Sequence, residues 1–518
     1  MCRKHRRQAR KKIPARIVFS ARYAVMTDVR CVGTKDIPRE PVSAFATTAT
    51  PKNTLRMKNQ LFKKQSLISA PVTEVFNWHA RPGAIERLSP PWDPLDIISR
   101  TGGIETGAEV RMNLKAGPLT VRWHARHVDY QENKLFQDIQ VSGPFAKWTH
   151  THYFQKIDES ACILEDRIDY ALPFHPISTA LMGKFVRQKL ERIFTYRHDT
   201  MIADIADHLP RKKSGPLRIL ISGASGLIGQ TLIPFLTTGG HHVLQLVRRR
   251  PSPTRNEIFW NPEAGILDLA TAGPIDAVIH LSGENIGEGR WSAEKKRRII
   301  DSRVDSTRLI AETIAKMKTP PRVFLCASAI GYYGHRGNDQ VDESDGPGSD
   351  FISDVCRKWE AAATASIAAG IRTAFLRIGI VLSPRGGALG KLLPPFQLGI
   401  GGKIGSGNQT MSWISIDDAI GAVYHVLYDS AISGPVNLVA PYPVTNAEFT
   451  HCLSKVLSRP AYFKVPAFAI ETVFGEMGRE TILSSTRVKA GVLQEAGYQF
   501  RHPYLESALR HLLGRNLP

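Results

Sequence analysis

A short apolar strand, a glycine-punctuated turn and an apolar helix in unbroken succession leave a chain few folds to choose from. Residues 217–250 read LRILISGASGLIGQTLIPFLTTGGHHVLQLVRRR. RILIS has the look of a buried strand, LIGQTLIPFL of a helix and HVLQLV of a second strand, the βαβ order of a parallel sheet. Gly223, Gly226 and Gly229 form G-x-x-G-x-x-G between strand and helix. Glycine suits those places because the chain turns tightly and an anionic ligand must approach bare N–H groups at a helix N-terminus. The expectation is a dinucleotide cradle, with Ser225, Leu227 and Ile228 completing the loop.

The end of the second strand narrows the choice of dinucleotide. NAD enzymes usually place a carboxylate there, about 20 residues beyond the loop, to hold the ribose hydroxyls. This chain has Arg248, Arg249 and Arg250 instead. A guanidinium is a planar, charge-assisted partner for a 2′-phosphate, so NADP is favoured over NAD, with Arg248 and Arg249 as the residues that select it. One of the three arginines is expected to be solvated surface only.

Upstream of residue 210 the rhythm is different. From 62 to about 172 the sequence alternates as antiparallel strands do, in LFKKQSLIS, AEVRMNL, LTVRWHARHVDY, LFQDIQVSG, KWTHTHYFQKI and ACILEDRIDYAL. Two short helical segments, VTEVFNWHA and PGAIERLSP, interrupt after the first strand. A long helix is expected over 178–207, with Leu181, Phe185, Leu190, Phe194, Met201 and Ile205 near helical spacing. PRKKSGP at 210–216 reads as a linker. The domain reading is therefore an extension over 1–57, a front domain over 58–209, the linker, and a nucleotide-binding domain over 217–518.

Charge and cysteine usage bound the functional classes. Of the net +21, +11 sits in the first 57 residues (14 Lys/Arg against 3 Asp/Glu), which leaves +10 for the other 461. The basicity belongs to a tail without a periodic apolar face, for which disorder is the default. That tail reads as a dispensable extension ahead of Met57, as an Arg-rich presequence, or as a nucleic-acid arm; without interleaved aromatics to stack bases, no nucleic-acid partner is expected. No uncharged apolar run reaches the roughly 18 residues a membrane span needs. The six cysteines, at 2, 31, 162, 326, 356 and 452, lack metal-type or paired spacing. They suit a reducing compartment, and the expectation is cytoplasmic.

Landmarks further along carry a resemblance. IDAVIHLSGENIG (275–287) is a strand ending in a small-residue loop, Leu281-Ser282-Gly283, that would lie over the cofactor. RWSAEKKRRIIDSRVDSTRLI (290–310), RVFLCASAIGYYG (322–334), TAFLRIGIVLSPRGG (373–387) and IGSGNQTMSWISIDDAIGAV (404–423) follow in order. Together these resemble atypical short-chain dehydrogenase/reductases of the NAD-dependent epimerase/dehydratase-like family, and within it the "epimerase family" subgroup, some of whose members carry a START-like domain in front. The likeness spans about 300 residues, from 217 to the C-terminus, and the stretch from about 465 resembles that subgroup's helical extension. The order of elements before 210 is similar to the helix-grip fold of the START and polyketide-cyclase superfamily. What the two resemblances imply is a Rossmann-type doubly wound α/β domain with a helical substrate lobe, preceded by an α+β domain with an apolar ligand cavity.

The resemblance also implies a catalytic helix, and there the chain departs. The wider family carries Tyr-x-x-x-Lys on the helix after a YYG-type segment, the lysine lowering the tyrosine pKa from about 10. In FISDVCRKWEAA (351–362), placed on Glu360, Ile352 stands at the tyrosine position and Cys356 at the lysine position, and Arg303 stands where the family usually has asparagine. The subgroup resembles this chain in both exchanges. The remaining catalytic candidates are Ser328, whose slot Ala329 fits about equally well; Tyr332 or Tyr333 as a phenol; and Cys356 as a proton carrier, if Arg303 lowers its pKa from about 8.5. Ala327 and Ser328 are also expected to line the cofactor. Cys356 as a small packing residue is the competing expectation. Arg303 is either a cofactor or substrate anion ligand, or part of an ion pair.

Other constellations read as structural. His150 and His152 alternate on a strand without a third ligand nearby in sequence, so strand surface is favoured over metal and no metal site is expected. Asp417 and Asp418 open a helix and read as N-terminal caps. The loop SGNQ (406–409) reads as substrate-side. The functional expectation is an NADP-binding oxidoreductase or epimerase acting on a small molecule, fused to an apolar-ligand-binding domain. Its rival is a non-catalytic NADP-binding sensor or ligand-binding protein.

Overall fold

The computed structural model describes residues 59–116, 119–173, 177–252 and 254–515. The extension expected over 1–57 lies outside the described residues.

Seven antiparallel strands make the first sheet. In chain order they are β1 (Gln60–Ile68), β2 (Asp96–Thr101), β3 (Glu109–Ala116), β4 (Leu119–Gln131), β5 (Leu135–Ser142), β6 (Lys147–Lys156) and β7 (Cys162–Ala171), with α1 (Val72–Ala80) and α2 (Ala84–Arg87) between β1 and β2. The spatial order β1-β7-β6-β5-β4-β3-β2 is a meander closed by the first strand. Strand β2 gave no signal in the sequence because five of its six residues face solvent, and strand alternation is legible only where one face is buried. Register shifts between His124 and Ala125, and between His127 and Asp129, interrupt β4, as bulges do where a sheet bends.

The helix α3 (Ile177–His208) runs 32 residues across the concave face. Its Phe194 packs on Phe62, ring centroids 5.4 Å apart, and Met201 and Ile205 join Val75, Phe76 and Phe154 in the core. Leu181 and Phe185 depart from expectation: they are 79% and 62% exposed. Helical spacing marks a stripe, but the fully buried part of it begins only at Leu190.

The second sheet is eight-stranded. It contains β8 (Arg218–Ser222), β9 (His242–Val247), β10 (Glu257–Asn261), β11 (Ile266–Leu267), β12 (Ala277–His280) and β13 (Val323–Ala329), then the strands Arg372–Ile378 and Gly434–Leu438. The order is β11-β10-β9-β8-β12-β13 followed by those two, and every pair except β10–β11 is parallel. Such strands are covered on both faces and so read as near-continuous apolar runs. Here α4 (Leu227–Thr238) and the helix Ile416–Tyr428 bring Leu232, Phe235, Ile420 and Val423 to one face. On the other, α5 (Ala293–Ala315) and α6 (Phe351–Ala361) bring Ile310, Ile314 and Trp359. Helices Asn446–Leu457 and Leu505–Leu512 close a third core around Trp413 and Phe396.

The stretch read as a linker is a 3-10 helix, Leu209–Ser214, and the two sheets' domains meet through charges as well as apolar contact. Arg87 of α2 forks onto Asp204 of α3 at 2.7 and 2.8 Å and reaches Asp417 at 3.3 Å. Arg501 adds Asp204 at 3.0 Å and Asp207 at 2.6 Å. The paired-cap reading of Asp417 and Asp418 is thereby corrected. Ser415 is the N-cap, accepting from the Asp418 N–H, and Asp417 is an ion-pair partner for the front domain. Backbone meets backbone too: a Cβ on Gly83, φ +100°, would lie 2.7 Å from Pro234 Cα.

Candidate functional site

The carboxyl ends of β8, β9, β12 and β13 come together where the order of the parallel sheet reverses around β8, the place where such sheets bind ligands. The chain leaves β8 through Gly223 at φ +75°, and a Cβ there would sit 2.6 Å from the Leu281 carbonyl carbon. A Cβ on Gly229 would lie 2.3 Å from the Gly223 oxygen. Both contacts are with backbone, so only glycine lets the loop fold this tightly. Gly226 is the N-cap of α4 and offers no side-chain cap hydrogen bond. The N–H groups of Leu227 and Ile228 thus face outward without a partner among the described residues. Unsatisfied donors, a helix N-terminus and a floor that excludes any side chain together fit a pyrophosphate.

The arginines at the end of β9 are not equivalent. Arg249 forks onto Glu257, at 2.9 and 2.6 Å, and Glu257 also accepts from the Ser252 N–H at 2.8 Å. Arg248 is exposed and makes no ion pair or side-chain hydrogen bond among the described residues. Leu281, Ser282 and Gly283 form the opposite lip. There Arg303 donates to the carbonyls of Ile299 and Glu284 at 3.1 and 3.0 Å. Its guanidinium covers Gly283, where a Cβ would be 3.1 Å from Cζ, and lies 4.9 Å from the Trp359 ring. It therefore fixes the lip rather than pairing with a carboxylate.

The ground beyond β13 holds a closed polar network. Ser328 Oγ donates to Glu360 Oε1 at 2.7 Å. Arg377 grips Glu360 with two hydrogen bonds of 2.9 Å and donates to the Tyr333 hydroxyl at 3.0 Å. Tyr333 in turn donates to Asn437 Oδ1 at 2.8 Å. Tyr333 is fully buried, and burial pushes its phenol up to about 12 against the pull of Arg377. That is the wrong direction for an acid–base group working near neutral pH. Tyr332 differs: it is only half-buried, and Arg377 lies 3.5 Å from its ring centroid.

Cys356 fits its packing reading. It is 2% exposed, and burial pushes its thiol up to about 12 although Arg303 pulls the other way. It packs with Val355, Ile299 and Met477. Ile352 fills the tyrosine position, its Cγ2 2.3 Å from where a Gly331 Cβ would be. Sequence reasoning missed Arg377, Asn437 and His280. The available signal was a lone polar residue in an apolar strand, in AFLRIG and AVIHLSG. His280 is fully buried between Ser222 Oγ and Ser306 Oγ. The SGNQ loop is tied down: Gly407, φ +81°, accepts from the Ala447 N–H at 2.9 Å, and Gln409 accepts from the Asn446 N–H at 2.9 Å.

The front domain reverses another expectation. His150 and His152 are not strand surface; they are 5% and 7% exposed. They face α3 from the middle of the concave side, beside Asp138 and Asp166. The interior next to them has a mixed lining, Leu88, Leu164 and Met201 together with His79, Arg197 and His198.

Known proteins place this architecture. Residues 219–438 match the NAD dependent epimerase/dehydratase family, residues 68–194 match polyketide cyclase / dehydrase and lipid transport, and residues 465–512 match a domain of unknown function. Epimerase family protein MT2273 of Mycobacterium tuberculosis is 39% identical over 297 residues, 57% of this chain and 98% of its own length. The chain belongs to the NAD-dependent epimerase/dehydratase family. Within the epimerase family the human SDR39U1 protein is 37% identical over 303 residues, 57% of this chain and all of that one. Among solved epimerase-family structures, a nucleoside-diphosphate sugar epimerase from Corynebacterium glutamicum matches at 32% identity and TM-score 0.71, over 88% of this chain and 90% of that one. Human SDR39U1 (isoform 2), solved with NADPH, matches at 34% identity and TM-score 0.53, over 57% of this chain and 99% of that one. The chain is thus an NAD(P)-binding epimerase-family protein with a polyketide-cyclase-like domain in front. Among the described residues no helix is long and apolar enough to cross a membrane.

Proposed function

We propose that the epimerase-family part binds NADP in preference to NAD and uses it on a small-molecule substrate, with Arg248 selecting the 2′-phosphate. The observation that carries this is the split between the two arginines: Arg249 is committed to Glu257, while Arg248 stands exposed at the end of β9 beside the glycine cradle. The human relative solved with NADPH supports it. In this reading the N–H groups of Leu227 and Ile228 receive the pyrophosphate, Gly223, Ser225, Gly226 and Gly229 shape its floor, and Leu281–Gly283, held by Arg303, line the opposite lip. Ala327 and Ser328 lie near the carboxyl end of β13, beneath the reacting region. When bound, the coenzyme supplies or accepts hydride. The proton that must accompany it is assigned to Tyr332, which is half-buried rather than sealed and whose ring lies against the Arg377 guanidinium, and not to Tyr333 or Cys356.

The test is a fluorescence titration with NADPH and NADH. A charged hydrogen bond contributes about 1.5–3 kcal/mol, so Arg248→Ala should weaken NADPH roughly tenfold to a hundredfold and leave NADH unchanged. Equal affinity for both coenzymes in the wild-type chain would overturn the assignment. A second reading, a non-catalytic sensor, is favoured by the apolar Ile352 and the buried Cys356 where the proton-transfer pair would be. NADPH oxidation against a panel of carbonyl compounds and nucleoside-diphosphate sugars separates the two. Turnover that Tyr332→Phe abolishes supports the enzyme, and tight binding without turnover supports the sensor.

A further inference from the structure

Between the two apolar clusters of the front domain lies a polar one that packing alone does not require. One cluster gathers Phe76, Phe136, Phe154 and Leu164, the other Phe62, Trp148, Ile168 and Phe194. In the gap, Asp138 of β5 stands opposite His150 of β6, and His152 stands opposite Asp166 of β7. Because strand residues two apart share a face, register puts all four on the concave side, and α3 adds His198 from above.

The side chains converge at short range. His150 Nδ1 is 3.3 Å from Asp138 Oδ2, and its Nε2 is 2.9 Å from Asp166 Oδ1. His198 Nε2 meets Asp166 Oδ2 at 2.6 Å, and its Nδ1 meets Ser66 Oγ at 2.8 Å. One ligand atom from each of Asp138, His150 and His152 lies within 4.8 Å of the other two. His152 Nδ1 is 2.6 Å from Asp166 Oδ1 but off the direction of a hydrogen bond, and it has no hydrogen-bond partner. A closed ion network, with a protonated His150 bridging two aspartates, accounts for His150 and His198. It leaves His152 Nδ1 pressed against the Asp166 carboxylate without hydrogen-bond geometry, in a site where an unmade hydrogen bond is costly.

We propose that Asp138, His150 and His152 bind a divalent first-row transition ion of the zinc type, with Asp166 as fourth ligand or as the carboxylate that orients the histidines. Imidazole and carboxylate without thiol is the donor set of such ions. Metal–ligand bonds of about 2.0–2.2 Å place tetrahedral donors about 3.3–3.6 Å apart; Asp138 and His150 already stand at 3.3 Å, and the three donor atoms lie within 4.8 Å of one another. A carboxylate hydrogen-bonded to a ligating histidine is the usual outer-shell arrangement, and Asp166 with His198 and Ser66 supplies one. The ion would face the interior space lined by His79, Leu88, Arg197 and Met201, where a ligand of the front domain could meet it.

The probe is the metal alone. Tag-free full-length protein, stripped with chelator and dialysed, is titrated with ZnCl2 by calorimetry and with CoCl2 by visible ligand-field absorption. One equivalent per chain is expected, with a cobalt spectrum of nitrogen and oxygen ligation. His152→Gln should bind at least about tenfold more weakly. Asp138→Asn, at the less buried edge of the cluster, should do the same and guards against a fold defect in the first variant. Asp417, His502 and His511 form the other candidate group among the described residues, so His502→Gln must leave the stoichiometry at one. No stoichiometric uptake, or uptake lost with His502→Gln and kept with His152→Gln, would overturn the site and leave a closed ion network.

Discussion

Cys356 and several buried histidines owe their chemistry to burial more than to their neighbours. Cys356 shows the balance: a guanidinium stands nearby, yet desolvation of the thiolate outweighs it and the thiol rises to about 12. Cys356→Ala should therefore leave NADPH affinity unchanged and cost about 1 kcal/mol in urea unfolding, a modest cavity. Rapid alkylation by iodoacetamide at pH 8 in the native protein would contradict this. His280 carries the same logic to stability. Burial, with Arg303 adding to it, lowers the imidazole from 6.5 to about 3, and His208, at about 3, and His241, at about 4, behave alike. Below pH 6.5 the unfolded chain takes up protons that these folded histidines refuse. Their contribution is thus complete above about pH 6.5 and shrinks as pH falls toward 3, by up to about 1.4 kcal/mol per pH unit for each. Thermal melting should show Tm falling from pH 7 to 5, and His280→Asn should flatten that slope.

At the scale of elements, the glycine loop and α6 contrast. The loop is a local device: a strand end, a turn that backbone contacts close on both sides, and a helix whose first donors point out. Gly229→Ala puts a methyl into the Gly223 carbonyl and must open the turn, at a cost of about 1–3 kcal/mol for overpacking. NADPH binding should fall at least tenfold while far-UV circular dichroism stays near native; binding within twofold of wild type would show that the turn can relax. Helix α6 occupies the place of a catalytic helix but presents Ile352, Val355 and Cys356 to an apolar cluster. Its Trp359 donates to Thr307 Oγ1 at 2.9 Å, and its Glu360 is held by Arg377. These contacts make it a packing element that organises the network behind the site.

Across the whole molecule, charges join the front domain to the nucleotide-binding one. Arg87, 3% exposed, sits among Asp204, Asp417 and Arg501. Removing one partner of a buried ion pair costs about 3–5 kcal/mol because the remaining charges stay buried and unpaired. Arg87→Ala should lower Tm by many degrees and expose the 209–216 segment to limited proteolysis. An unchanged melt would show that the apolar contacts carry the junction unaided. The guanidinium groups hold Asp204 below the usual carboxylate value despite burial; Asp417 is held down likewise, first by His511 and then by Arg87 and Arg501. Their contribution is present above about pH 4 and lost as pH falls through the lowered values, the same sense as the buried histidines.

What the chain's order of residues decided was everything carried by contiguous segments. The G-x-x-G-x-x-G turn, the βαβ rhythm, the run of antiparallel strands and the missing Tyr-x-x-x-Lys are all legible, because each rests on neighbours a few positions apart. Tertiary structure decided which of two adjacent arginines is committed, since Glu257 comes back from β10 to take Arg249. It decided that Tyr333 and Cys356 are sealed, since that depends on Asn437, Arg377 and Met477 arriving from distant strands and helices. It also turned His150 and His152 inward to meet Asp138, Asp166 and His198. Alternation shows that two strand residues share a face; which face is buried, and what lies across from it, is set by strand register and by the helix that covers the sheet.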